Sequence, residues 1–176
     1  MTSQELKVKL EALHTLSFAW ALRCCGEHTA DAQDVLQNTY VKILAGKARF
    51  KQQSSFKTWL FSVIKYTAID HYKAQERSKV VLLDNWEQPK KIPFESPPLE
   101  IAGKDHPQRR LFLKGLKQLS KQQQQVLHLV FYQSCTIAEA ASIMNIQVGT
   151  ARTHYERGKK QLKKWLIKTG EYHPIS

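Results

Sequence analysis

The stretch TIAEAASIMNIQVGTARTHYERGKKQL, residues 136–162, sets the fold. Thr136 and Glu139 have capping-box spacing: the hydroxyl accepts from the amide three residues on, and the carboxylate reaches back to the cap amide. A short helix is predicted from there through Met144. Asn145-Ile146-Gln147 then reads as a tight turn, because Asn tolerates the left-handed backbone that such a turn requires. A longer helix follows from about Val148 to about Lys168. Short helix, three-residue turn and longer helix together make a helix-turn-helix. Ile137, Ala140, Ala141, Met144, Ile146, Val148 and Ala151 are the small and apolar residues that its corner must bury. The outer face carries Thr150, Arg152, Thr153, His154, Arg157, Lys159 and Lys160. These side chains can meet base edges and phosphates in a major groove.

Working upstream, Ser120-Lys121-Gln122-Gln123 forms a second capping box. It opens a helix whose apolar face is Val126, Leu127, Leu129 and Val130, running up to Tyr132. Before it lies a stretch of different character. Residues 81–105 hold Pro89, Pro93, Pro97 and Pro98, with Pro107 just beyond, and a net charge of −2. Proline fixes the backbone and removes a donor, so this stretch is expected to be an extended linker rather than a helix.

The N-terminal part also reads as helical. Leu6, Leu10, Leu13, Leu16 and Trp20 fall near helical spacing within residues 4–25. Val35, Leu36, Thr39, Tyr40, Ile43 and Leu44 share one face of residues 31–45, with Asp31 and Asp34 in the first turns, where carboxylates suit the helix dipole. The polar loop KARFKQQSS (47–55) leads to a stripe of Phe56, Trp59, Leu60, Val63, Ile64 and Thr67. Phe61, Lys65 and Tyr72 are placed opposite that stripe, with Tyr66 and Lys73 on its flank, although Phe50 and Phe61 taken singly could equally pack in the core. Aromatic rings beside lysines suit unpaired bases, on which rings stack while cations follow the phosphates. No alternating strand pattern is evident. The predicted architecture is all-α: two small helical domains, 1–79 and 107–176, joined by a flexible acidic, proline-containing linker at 80–106.

The charge distribution agrees with this division. The chain has 176 residues, 27 Lys and Arg and 15 Asp and Glu, for a net charge of +12. Residues 46–80 carry +6 and residues 106–176 carry +9, while residues 1–30 balance and residues 31–45 carry −1. Two basic blocks flank an acidic spacer, which points to nucleic acid as partner. No run approaches the length of about 20 apolar residues that a membrane span needs. The N-terminus does not read as a secretory signal, and a cytoplasmic protein is expected. Cys24, Cys25 and Cys135 make a poor disulfide framework and are expected to be reduced thiols. Cys24 and His28 lie four apart, but two ligands do not complete a metal site, so neither metal nor cofactor is expected.

At this point the sequence resembles the extracytoplasmic-function (ECF) sigma factors of bacterial RNA polymerase. DAQDVLQNTYVKI (31–43) is similar to the family's core-binding helix. SFKTWLFSVIKYTAIDHYKAQ (55–75) is similar to the helix that melts and reads the −10 element. LSKQQQQVLHLVFYQSCTIAEAASIMNIQVGTARTHYERGKKQL (119–162) is similar to the −35-reading domain. The resemblance implies that residues 1–79 form sigma domain 2 and residues 107–176 sigma domain 4. It implies that Asp31, Asp34, Gln37, Asn38 and Tyr40 face the β′ clamp helices of core polymerase, and that the C-terminal domain docks on the β flap. It assigns Arg49, Lys51, Lys57, Trp59, Lys65, Tyr66, Asp70 and Lys73 to the single-stranded −10 element, with the loop Arg49–Ser55 as the pocket for a flipped base. It assigns Thr150, Arg152, Thr153, His154, Arg157 and Lys160 to the duplex −35 element. An anti-sigma factor is an expected partner.

Several positions depart from the family pattern. Asn38 stands where an acid is usual, His154 replaces a usual Arg, and Glu156 sits where a neutral or basic residue is common. Gly158 replaces a usual Ala, at an expected cost of roughly 1 kcal/mol to its helix. Two other classes compete. A stand-alone helix-turn-helix regulator would carry a ligand or dimerisation domain in its N-terminal half, where this chain has aromatics and cations. An enzyme would need paired carboxylates with a metal pattern, a Gly-rich phosphate loop or a nucleophile–His motif, and none stands out. The seven His are scattered along the chain, so no enzyme is expected.

Overall fold

A computed structural model describes residues 1–81 and 107–170. Among these residues every regular element is helical. Contacts group residues 1–49 with 63–81, and residues 50–62 with 107–170. The division falls inside one long helix, and each group is described by itself. Residues 80 and 81 of the expected linker continue the helix that ends at Val81, and the rest of it lies outside the described residues.

In the first group, α1 (Ser3–Ala12) starts on a capping box between Thr2 and Glu5. The single helix suggested over residues 4–25 is broken at Leu13 (φ −101°, ψ 5°), which ends α1 and starts α2 (His14–Cys24). α2 buries Ala19, Trp20, Ala21 and Leu22 and packs on α3 (Thr29–Leu44), which buries Ala32, Val35, Leu36 and Ile43. Thr39 is buried as well, its hydroxyl donating to the Val35 carbonyl at 2.8 Å. Leu44 departs from the expected apolar face: it is 52% exposed. It lies at the last turn of α3, where the apolar stripe has run past its cover.

α4 (Phe56–Val81) begins where the Ser55 hydroxyl accepts from the Thr58 amide at 3.1 Å. Leu60, Phe61, Ile64, Thr67 and Ala68 are buried along it. Phe61 is therefore a core residue rather than part of an outward surface. Burial at both 60 and 61 widens the covered stripe by about one residue's rotation, or about 100°. Tyr72 also turns inward, donating to the Cys25 carbonyl at 3.0 Å. Polar side chains also tie α3 to α4. Lys42 pairs with Asp70 at 3.3 Å, and His71 Nε2 lies 3.1 Å from Asp31.

In the second group, α5 (Pro107–Leu116) leads to α6 (Lys121–Leu127), which starts on the Ser120–Gln123 capping box. α6 runs into a π turn, His128–Tyr132, whose wider ring admits an extra residue. α7 (Ile137–Met144) opens on the Thr136–Glu139 box. Asn145 ends it in the left-handed region (φ 54°, ψ 46°), and α8 (Val148–Lys168) follows. The buried corner is Ala140, Ala141, Met144 and Ala151, whereas Val148 at the start of α8 is exposed. Position 148 is in the first turn, ahead of the point where α8 meets α6 and α7.

Two glycines set the depth at which α8 is gripped. A Cβ at Gly158 would sit 3.0 Å from Leu127 Cδ1 and 3.3 Å from Gln123 Cβ. The propensity lost at position 158 thus permits α6 and α8 to approach closely. A Cβ at Gly115 would collide with Leu162 Cδ1 and press to 3.1 Å on Trp165 Cε3. Gly115→Ala should therefore destabilise the chain by about 1–3 kcal/mol, despite Ala's better helix propensity. Urea denaturation checks this; an unchanged or raised midpoint would mean that α5 and α8 are not in such close contact.

Candidate nucleic-acid interface

Three surfaces gather the candidate residues. The first is α3. Asp34, Gln37 and Asn38 are exposed at i, i+3 and i+4 and form one ridge. Val41, 59% exposed, and Leu44 extend that ridge with apolar side chains that the sequence reading missed. Continuing the i+3, i+4 rule from Asp34 would have found Val41. The other two expected members face inward. Tyr40 is half-buried, its hydroxyl 3.1 Å from His14 Nδ1, and burial pushes its phenol up to about 12. Asp31 is held by α4, with Gln75 Nε2 donating to Oδ1 at 3.3 Å and Tyr72 donating to Oδ2 at 3.5 Å. Burial would raise its carboxyl, but the hydrogen bonds from His71 and Gln75 outweigh it and hold the group below the usual range.

The second surface is the loop before α4 together with the outer face of that helix. Arg49 and Lys51 are exposed, and Arg49 Nε donates to the Gly46 carbonyl at 3.2 Å. Phe50 joins Phe56 and Trp59 in an aromatic triad, with ring centroids 5.3–5.4 Å apart. The triad pins the loop to the first turn of α4. Trp59 is half-buried there. Lys57 donates to the backbone carbonyl of Gln133 and lies over the Phe61 ring. Tyr66, half-exposed, shares an outer face with Asp70 and Lys73 at i+4 and i+7. Asp70 is tied to Lys42, and Lys65 is part-buried beside this face.

The third surface is α8. Thr150, Arg152, Thr153, Arg157 and Lys160 are exposed, and His154 is half-buried. Thr153 donates its hydroxyl proton to the Gly149 carbonyl at 3.0 Å. Glu156 is paired with Lys159 at 3.3 Å, which offsets its negative charge on this face. Lys159 also lies 4.3 Å from the Tyr155 ring centroid, so it is turned along the helix rather than outward. Tyr155 stacks on Phe131, which meets Phe112 edge-on. Phe131 is 53% exposed. Sequence periodicity carried no sign of this, because the π turn shifts the register at residues 128–132.

Other chemistry is sparse. All three cysteines are free, and burial pushes the thiols of Cys24 and Cys25 up to about 12 and about 11 and raises that of Cys135. Among the described residues no group of three or more His, Cys, Asp or Glu could hold a metal, and no helix is long and apolar enough to cross a membrane.

The chain thus combines a helix-turn-helix with a second all-helical group that carries a polar ridge. Residues 10–78 match the Sigma-70 region 2 family, and residues 109–162 match Sigma-70, region 4. The chain is 30% identical over 150 residues to the RNA polymerase sigma factor YlaC of Bacillus subtilis, covering 84% of each. It is 29% identical over 136 residues to the ECF RNA polymerase sigma factor SigX of the same organism, covering 76% of this chain and 70% of that one. Its fold is similar to the sigma factor RpoE in complex with the anti-sigma factor NepR from Bartonella quintana. That match has a TM-score of 0.69 and 21% identity, covering 93% of this chain and 98% of that one. CnrH, in complex with the cytosolic domain of CnrY, matches with a TM-score of 0.60 at 20% identity, covering 94% and 90%. The chain belongs to the ECF sigma factors and acts in transcription initiation.

Asp31 makes the α3–α4 bridge a pH-dependent contribution to stability. Its folded carboxyl lies below its unfolded value of 3.8. The contribution is present above that value and disappears as pH falls through the folded one. Asp31→Asn should cost about 1 kcal/mol near pH 7, with the gap to the parent closing as pH falls below the unfolded value of 3.8 and through the lower folded one. A gap independent of pH in thermal melts would remove the carboxylate from this role.

Proposed function

We propose that this chain directs core RNA polymerase to promoters by reading the −35 element as duplex and the −10 element as melted single strand. The single observation that carries the reading is the α8 face. Thr150, Arg152, Thr153 and Arg157 stand exposed on a helix whose opposite side is buried, which leaves them free to enter a major groove. The aromatic triad around Phe50 supports the second half of the proposal. A loop braced by rings, with Arg49 and Lys51 exposed, can receive an extruded base while cations track the phosphates. Stacking offsets about 1–3 kcal/mol per base, so several captured bases are needed to hold a bubble open.

The docking roles are assigned on the same basis. Asp34, Gln37, Asn38 and Val41 are proposed to meet the β′ clamp helices. Asp31 acts behind them by fixing α3 to α4. The aromatic face of Phe131 and Tyr155 suits an apolar partner such as the β flap. The protein is proposed to be a cytoplasmic, non-enzymatic factor, held in check by an anti-sigma factor, as two sigma factors of similar fold are found in complex with such partners.

Run-off transcription with core polymerase tests the reading. The chain should support initiation from a subset of promoters, and no initiation on any promoter would sink it. Two readers on one chain gain by effective concentration only at the right separation. Inserting a few base pairs between the elements should therefore abolish most of the signal; transcription indifferent to spacing would leave a single reading site. Arg152→Ala should cost about 1–3 kcal/mol, roughly 5- to 150-fold, on cognate −35 sequences. Equal losses on all sequences would reassign Arg152 to the phosphates.

A further inference from the structure

α8 is longer than major-groove reading requires. At 1.5 Å per residue, Thr150 to Arg157 covers about 10 Å, close to the groove's width of about 12 Å. Another 11 residues of helix follow Arg157. Steps of three and four residues carry the exposed line from Thr153 and Arg157 on through Lys160, Lys164 and Lys168, all of them exposed. The line is straight along one face, since the opposite face buries Ala151, Gly158 and Leu162. Among the described residues none of these three lysines has an ion pair; the acid on α8, Glu156, is taken by Lys159.

We propose that Lys164 and Lys168 bind the sugar-phosphate backbone of duplex DNA at the rim of the groove that the first half of α8 reads. This rests on the duplex-reading proposal above. A helix whose first half spans the groove must carry its second half past one rim, and the row of ammonium groups then meets that strand's phosphates. Lysine suits such a contact, because a compact charge on a flexible stem follows a backbone without demanding a base. These lysines would add affinity and orientation but no sequence preference. A purely structural role exists beside this one, because cations near a helix C-terminus also favour the dipole. That role would appear in stability and not in DNA binding.

The test is the salt dependence of binding to a duplex of arbitrary sequence, measured on the full chain by fluorescence anisotropy. Each phosphate contact adds about 0.9 to the magnitude of the slope of log K against log salt. The double variant Lys164→Gln/Lys168→Gln should lower that magnitude by about 1.8, whatever small fall in melting temperature the lost dipole interaction brings. Lys164→Arg/Lys168→Arg should restore it. The control Lys7→Gln/Lys9→Gln removes the same charge from α1 and should leave the slope alone. A slope unchanged in the α8 variant, as expected if the lysines face an acidic protein surface or only solvent, overturns the inference and leaves duplex reading standing. So does an equal drop in the control, which would be a net-charge effect. A parent chain whose duplex binding is insensitive to salt would defeat the duplex-reading proposal itself.

Discussion

One helix has to be gripped from behind and left bare in front, and the C-terminal unit is arranged around that demand. Only a narrow strip of α8 is open to packing, so the strip is built from residues with little or no side chain, Ala151 and Gly158, and closed by Leu162. Small residues bring α6 close, and Gly115 does the same for α5 from its own side. The left-handed backbone at Asn145 fixes the angle at which α8 leaves α7. Close packing makes such a support stiff, because a core at native density has no room to relax. The proposed reading of base edges would need that stiffness, since hydrogen bonds to bases lose strength within a fraction of an ångström.

The N-terminal unit meets a different demand by different means. Beside its buried apolar core, polar groups bridge α3 and α4: Asp31 with His71, Gln75 and Tyr72, and Lys42 with Asp70 and Thr67. Such bridges fix position while leaving outer faces free of apolar cover. The polar ridge on α3 and the exposed face of α4 are thus presented by the same two helices that the bridges tie together. Of the acids near the start of α3, one is spent inward and one outward, and the partners on α4 separate Asp31 from Asp34.

What the sequence could reveal depended on the range of the interaction. The capping boxes at Ser120 and Thr136 and the turn at Asn145 involve neighbours three or four residues apart, and their residue types announce them. The exposure of Thr150, Arg152, Thr153 and Arg157 followed from period 3.6 within one helix. Phe61 and Tyr72 did not, because a residue on the edge of an apolar stripe is buried or bare according to what lies beside it. Asp31 was read as a surface acid since its partners lie 40 or more residues away. Phe131 was hidden by the π turn, which breaks the period on which the reading relied. Gly158 looked like a loss when judged by propensity alone, and its close neighbours on α6 supply the reason for it.

The buried thiols have a practical consequence. Cys25 sits in the first unit and Cys135 in the second, both covered by protein, with their thiols held above the ordinary range. Alkylating reagents attack the thiolate, so at neutral pH both groups are protected twice, by access and by protonation. Labelling then waits on local opening, and its rate at each sulfur measures how often that part of the chain comes apart. The molecule carries a built-in stopwatch in each half, able to record which half loosens first when a partner binds or lets go.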